Sequence, residues 1–213
     1  MVALTLLVSG LVCAAQTSTP SNRRSWGASI ACPPTGKAVD ELELISRPGS
    51  LDSLILGSQL IVQGTITKVL PSFNRNPNIA AAIETDSVVS VSDTLLGILP
   101  GTANITLGQV GGKTDACEEI IPEDPPVKPG EQYILFLRKD TRATVPNPAG
   151  FQRYFGFGLW RGMAKIENGT IHFRPADPKT LHENDNRTAT DFVSDIRQRI
   201  GPLGLTPSGK RIE

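Results

Sequence analysis

The chain has 213 residues, enough for one domain with a leader and tails but too few for two domains of ordinary size. Lys plus Arg equals Asp plus Glu, 21 each, with no long run of one sign, which argues against a nucleic-acid or membrane-surface footprint. A core of this length buries roughly 70% of the surface that the unfolded chain exposes, so the fold needs no metal to hold it.

Residues 1–15, MVALTLLVSGLVCAA, are an apolar run ending in small residues, the pattern of a signal peptide. Cleavage after Ala14 or Ala15 places Val12 or Cys13 third from the cut. The run lacks a basic n-region, so either the leader is atypical or the true start lies upstream of Met1. It is shorter than the about 20 residues of a membrane helix, so no stable span is expected. Acylation at Cys13 would make a lipoprotein, but Val12 is not the small residue expected before such a cysteine. The expected location is therefore secreted, periplasmic or at the cell surface. Loss of the leader leaves Cys32 and Cys117, which an oxidising compartment favours as a disulfide; two unpaired buried thiols are the alternative.

Residues 16–22, QTSTPSN, have nothing to bury, and the arm over residues 16–46 is expected to be mostly disordered, although Cys32-Pro33-Pro34 stiffens it. The stretch from Glu41 to Ile45 reads as a short helical or extended piece. Arg47-Pro48-Gly49-Ser50 is a turn that opens a domain over residues 47–201. Ser50 is placed to cap a short helix, LDSLILG, with Leu51, Leu54 and Ile55 on one face and Gly57 as its C-terminal cap. In residues 59–70, QLIVQGTITKVL, Leu60, Val62 and Ile66 fall on one side of a strand and Gln63, Thr65 and Thr67 on the other.

A loop over residues 71–80 follows. Val89, Val91 and Leu95 then alternate with Ser90 and Ser92 in a second strand, and after the Pro100-Gly101 turn Ala103, Ile105 and Leu107 make the inner face of a third. Residues 111–128 form a long acidic, proline-rich loop that carries Cys117. After the Pro129-Gly130 turn, QYILFLR is apolar on both sides, the pattern of a strand covered on both faces, with the short or the C-terminal helix as the cover. Asn168-Gly169 reads as a type I′ turn that pairs Glu167 with Thr170, Ile166 with Ile171, Lys165 with His172 and Ala164 with Phe173. The chain from Pro175 to Asn186 reads as polar loop. Thr190 is placed to cap a last helix, DFVSDIRQRI, whose Phe192, Val193, Ile196 and Ile200 form one stripe; Gly201-Pro202 ends it, and residues 202–213 read as a flexible tail.

No residue set commits the chain to a reaction, a metal or a cofactor. Gly108-Gln-Val-Gly-Gly-Lys-Thr114 has three residues before its Gly-Lys pair where a phosphate loop needs four, and no helix follows; the glycines read as a turn or bulge leaving the third strand. His172 should face solvent opposite Lys165, and His182 lies in a polar loop, so neither suggests a dyad or a metal site. Glu118, Glu119, Glu123 and Asp124 match no calcium loop and read as a solvated acidic loop. Serines are plentiful without a G-x-S-x-G motif. Asn104, Asn168 and Asn186 open glycosylation acceptor patterns that have no meaning in a bacterial host. The densest feature is residues 151–160, FQRYFGFGLW. It is either a glycine-relieved bend that closes a barrel, or a flat binding face built from Arg153, Tyr154, Phe155, Phe157 and Trp160.

Three motifs carry a family resemblance. Ser58-Gln-Leu-Ile-Val-Gln-Gly-Thr-Ile-Thr-Lys-Val69, Val89-Ser-Val-Ser-Asp-Thr-Leu-Leu-Gly97 and Lys128-Pro-Gly-Glu-Gln-Tyr-Ile-Leu-Phe-Leu137 are similar to the aDlVvxGkV, VxxvlkG and pGexYLlFL strands of the netrin-like and tissue-inhibitor-of-metalloproteinase group, notably its uncharacterised secreted bacterial members. The resemblance implies a mainly β fold: a small closed or partly open OB-like barrel, with a short helix before the first strand and a C-terminal helix. Strand motifs speak to fold and not to activity. The inhibitor branch uses an N-terminal Cys-X-Cys, and Cys32 has no second cysteine near it. The expected role is a secreted, non-enzymatic barrel that binds a protein or cell-envelope partner, with no cofactor and no nucleic acid. A secreted hydrolase with an unrecognised site and a protease inhibitor of the metalloproteinase type are the alternatives.

Overall fold

The computed structural model describes residues 32, 37–39, 48–76, 82–142, 147–175 and 177–211. The expected signal peptide, the polar stretch at 16–22 and the segment from Glu41 to Ile45 lie outside the described residues. In chain order the elements are β1 (Lys37–Val39), α1 (Leu51–Gly57), β2 (Leu60–Val69), β3 (Phe73–Asn74), β4 (Ile83–Leu96), β5 (Asn104–Val110), β6 (Gly112–Lys113), β7 (Glu118–Ile120) and β8 (Gln132–Lys139). Then come β9 (Arg153–Gly156), a 3-10 turn (Leu159–Gly162), β10 (Met163–Glu167), β11 (Thr170–His172), α2 (Lys179–His182) and α3 (Ala189–Ile200).

Five strands close a barrel in the order β2, β4, β5, β9, β8 and back to β2, with β5 and β9 parallel and the other neighbours antiparallel. Counted along the barrel this is first, second, third, fifth, fourth, an OB-like arrangement. Three register shifts between β2 and β4, at Ile61/Val62, Gln63/Gly64 and Ile66/Lys68, bend the pair enough to roll the sheet. Gly64 sits at one of them; a Cβ there would lie 2.7 Å from Val89 Cγ1, so the bend brings the two backbones too close for a side chain.

Alternation sorts the side chains into two cores. Leu60, Val62 and Ile66 point into the barrel with Val89, Ile105, Leu107, Tyr133, Leu135, Leu137 and Tyr154, filling it. The other face of β2 and β8, Ile61, Ile134 and Phe136, is covered by Leu51, Leu54 and Ile55 of α1 and by Phe192, Val193, Ile196 and Ile200 of α3. Phe192 meets Phe136 and Phe173 edge to face, with ring centroids 6.5 and 6.1 Å away. Thus β8 is apolar on both sides because both helices and the barrel interior claim it. The β10–β11 hairpin extends the sheet from β8 with Lys165 opposite His172, Ile166 opposite Ile171 and Glu167 opposite Thr170, the register set by Asn168 and Gly169, both at positive φ.

Several local expectations differ from the structure. Gly57 is the last helical residue and Ser58, in extended conformation, is the C-cap; Gly57 is small because any Cβ would overlap the Phe157 ring. Ser50 does cap α1, in a reciprocal box with Ser53. Thr188, not Thr190, caps α3, accepting from the Asp191 amide at 3.1 Å. The presumed loop after Pro175 contains α2, whose Leu181 is buried in the outer core. The tail is packed at its start: Leu205 is buried, it bridges to Arg211, and Pro207 O accepts from the Gly97 amide at 2.9 Å. The long acidic loop also holds β6 and β7, which join β1 in a small separate sheet, with β1 parallel to β7. Cys32 and Cys117 are joined in a disulfide with Cα atoms 5.7 Å apart, beside Ile83. The disulfide points to an oxidising, extracytoplasmic compartment. Among the described residues no helix is long and apolar enough to cross a membrane.

Candidate binding site

The stretch FQRYFGFGLW closes the barrel but does not make one aromatic face. Only residues 153–156 are strand; Gly158 and Leu159 then take positive φ and lead into the 3-10 turn. Tyr154 points into the barrel, Phe157 joins the outer core, and Trp160 packs with Val110 and Ile121. Of the five residues singled out in the sequence, only Phe155 is more than marginally exposed, and Arg153 is 4% exposed.

Arg153 is nonetheless the organiser of the region. It leaves the outer face of β9 and crosses β5 above Gly108, where any Cβ would lie 2.8 Å from the guanidinium carbon. On the far side its Nε donates to Asp86 Oδ1 at 2.7 Å and its Nη2 to Glu84 Oε2 at 2.8 Å, both on β4, while Nη1 donates to Asp140 just after β8. Arg142 closes the group from outside: Nη1 and Nη2 reach the two Glu84 oxygens at 2.9 and 3.1 Å, and Nε reaches Asp140 Oδ1 at 2.9 Å. Arg75 adds a bond to Glu84 at 3.0 Å. The Phe155 ring lies under both Arg153 and Arg142, 4.5 and 4.7 Å from their guanidinium carbons. Among the described residues, three carboxylates and three guanidiniums thus meet in one cluster on the outer face of the barrel seam.

Two carboxylates on the same strand respond in opposite directions. Burial pushes Glu84 up, but Arg142 and Arg153 more than offset it, and its carboxyl is held below the ordinary value. Burial also pushes Asp86 up, and here it wins, because among the described residues Arg153 alone serves Oδ1 and Oδ2 has no partner. For Asp140, the bonds from Arg142 and Arg153 outweigh burial and hold it low.

Beside this cluster lies an open cleft of about 330 Å³. Arg142, Asp140 and Arg153 form its floor, Pro100 and Thr102 of the β4–β5 turn one wall, and Asn147, Phe151 and Gln152 the other. The wall is set by local bonds: Asn147 Nδ2 donates to Phe151 O at 2.7 Å and Gln152 Nε2 to Arg153 O at 3.1 Å.

The remaining candidates are structural. Gly111 and Gly112 make the turn out of β5, and both have positive φ. The acidic loop is not simply solvated. Glu119 is buried and accepts from the Ile83 amide at 2.6 Å, and Asp124 is buried against Gln109 at 2.8 Å and Arg174. Among the described residues no group of acidic, histidine or cysteine side chains is arranged to hold a metal. His172 shares a bond with the Thr170 hydroxyl at 2.9 Å, and His182 sits 2.7 Å from Asp185, far in sequence from the seam.

Sequence reasoning found Arg153 but missed Glu84, Asp86, Asp140 and Arg142. Glu84 and Asp86 lie in a stretch assigned to no element, before a strand whose apolar alternation is legible only from Val89 on. Their i, i+2 spacing continues the outer face of β4, which is the signal that would have found them. No family model matches the sequence, and no curated protein matches it.

Proposed function

We propose that this chain is an exported, non-enzymatic binding module that takes a protein or cell-envelope partner at the seam cleft. The observation that supports the reading is the state of the cleft floor: its ionisable groups are locked to one another across three segments, which gives a rigid polar platform rather than a free nucleophile or base. OB-like barrels use the loop between their fourth and fifth strands for ligands, and the cleft wall from Asn147 to Gln152 is that loop. The leader-like residues 1–15 and the disulfide support export. The strand motifs support placing the module beside the netrin-like and metalloproteinase-inhibitor group in fold, without carrying that group's activity over.

The opposed shifts of Asp86 and Asp140 are what an acid–base pair would show, and they favour hydrolysis as the second reading. Asp86 is, however, fully buried behind Arg153 and does not line the cleft. Affinity capture from the native extracellular fraction, with wild type beside Gln152→Leu, separates the readings. A partner retained by wild type and lost by the variant supports the module. Turnover in a hydrolase substrate panel that is lost in Asp140→Asn would overturn it.

A further inference from the structure

We infer that the seam cleft recognises a neutral, polyhydroxylated ligand, the exposed unit of an envelope glycan, an inference that rests on the binding-module reading and names its ligand class. The cluster on the cleft floor excludes most other chemistry. All three side-chain nitrogens of Arg142 and all three of Arg153 already donate to carboxylates. Both oxygens of Asp140 already accept from guanidinium groups. Among the described residues that line the cleft, each guanidinium already has carboxylate partners and the carboxylate already has guanidinium partners, so neither a phosphate, sulfate or carboxylate nor an amine or metal ion finds an unpaired charge. An ionic ligand would have to compete with these pairs.

What the walls offer is neutral. Asn147 and Gln152 each give one amide N–H, to Phe151 O and Arg153 O, which leaves each side chain its second N–H and a carbonyl oxygen without a hydrogen bond among the described residues. The Thr102 hydroxyl donates to Asn104 O at 3.0 Å and keeps its lone pairs. Three residues with free acceptors, two of which also keep an amide donor, therefore line one small cleft with Pro100 and Phe151. An extended peptide shows same-side N–H groups only every ~6.8 Å, so few of them meet one cleft of about 330 Å³. A sugar ring carries hydroxyls on neighbouring carbons that both donate and accept, and a C–H face that can cover the ring of Phe151, so it matches this neutral lining of acceptors and amide donors.

The test is a titration of the disulfide-bonded chain, followed by amide NMR shifts, with neutral di- and trisaccharides of glucose, galactose, mannose and N-acetylglucosamine. Parallel titrations use a sulfated disaccharide and an extended hexapeptide. Saturable shifts at Thr102, Gly150 and Gln152 are expected with at least one neutral sugar. The apparent Kd should rise at least tenfold in Gln152→Leu, with the thermal midpoint of that variant within about 2 °C of wild type, taken as a change under 1 kcal/mol. Shifts only with the sulfated sugar or the peptide would overturn the glycan inference and keep the module. So would a captured partner that is lost in Gln152→Leu while every neutral sugar leaves the cleft amides unmoved. Sugar cleavage during the titration would overturn the module reading itself.

Discussion

Replacing Arg153 by methionine keeps the stem that crosses Gly108 but removes the charge that touches all three seam carboxylates. Glu84 retains Arg142 and Arg75, and Asp140 retains Arg142, so Asp86 bears the loss: Oδ1 gives up its 2.7 Å bond and Oδ2 has none to fall back on. Neither Glu84 nor Asp86 has any exposed side-chain area. Leaving a buried charge unpaired costs about 3–5 kcal/mol, and in a chain of this size each 1 kcal/mol moves Tm by about 2–4 °C, so Tm should fall by about 6–20 °C at pH 7.5. The sign of the pH dependence follows from the same groups. Asp86 is already raised above 3.8 by burial and loses the one group that lowers it, so the folded variant takes up a proton at higher pH and regains stability as pH falls. Glu84, held low in the wild type, contributes stability that is present above its unfolded value of about 4.5 and lost as pH drops through the folded one. Asp86 makes the two stability curves converge between pH 7.5 and 4.5, and Glu84 adds to the convergence only below 4.5. Thermal melts across that range, with Arg153→Met/Asp86→Asn as the rescue, would read it. A fall in Tm under about 3 °C at pH 7.5, or a deficit independent of pH, would refute the reasoning.

Burial pushes the Asp177 carboxyl up to about 6, against the Arg174 amide and the charges of Arg161, Arg174 and His182. Such a group contributes stability that is complete below 3.8 and lost as pH rises through 6, so Asp177→Asn should flatten the profile over pH 4–7 and stabilise the protein at pH 7.5 by up to about 3 kcal/mol; an unchanged slope in chemical denaturation would count against this. Cys32→Ser/Cys117→Ser opens a closure of 85 residues and should lower stability by up to about 4–5 kcal/mol. Non-reducing peptide mapping should find the 32–117 cross-link, and separate peptides would reject it. Gly108→Ala should cost about 1–3 kcal/mol, because the new methyl displaces the Arg153 guanidinium. The same substitution at Gly101, where a Cβ meets nothing within 4 Å but φ is +72°, supplies the comparison for backbone strain alone.

The barrel was legible wherever one face of a strand was apolar and the other was not. Leu60, Val62 and Ile66, the two-sided run from Tyr133 to Leu137, and the Asn168-Gly169 hairpin each state their geometry in residue order. The site was not legible, because its members belong to four separate segments and owe their burial to one another. Glu84 and Asp86 look solvated in sequence; only the crossing of Arg153 over Gly108 makes them interior. The glycine of that crossing was visible only as part of a failed phosphate-loop match, since a close approach from a strand some 45 residues away leaves no local trace. The packed start of the tail was missed for a related reason: Leu205 follows a helix-ending Gly-Pro and finds its neighbours through α3.

Closure of the barrel depends on a short strand. β9 pairs with β5 over Arg153, Tyr154 and Phe155 and with β8 over Tyr154, Phe155 and Gly156, whereas β2 and β4 pair from Ile61 to Val69. So few ladder positions would leave β9 the first barrel strand to open, were it not tied by Arg153 to a strand two places away and to the segment after β8. Openings that need only local loss of contacts cost less than global unfolding, so β9 amides should exchange faster than those of β2 in native-state hydrogen exchange. In Arg153→Met the gap should widen, because the cross-strand tie is gone while the β2 ladder is intact. Gln152 precedes Arg153 in the chain, so each opening of the seam also dismantles the cleft wall, and a ligand that binds only the closed wall must slow β9 exchange in proportion to its occupancy. Protection in β9 equal to that in β2, with or without Arg153, would mean that the ladder alone holds the seam and that the ion cluster is not its clamp.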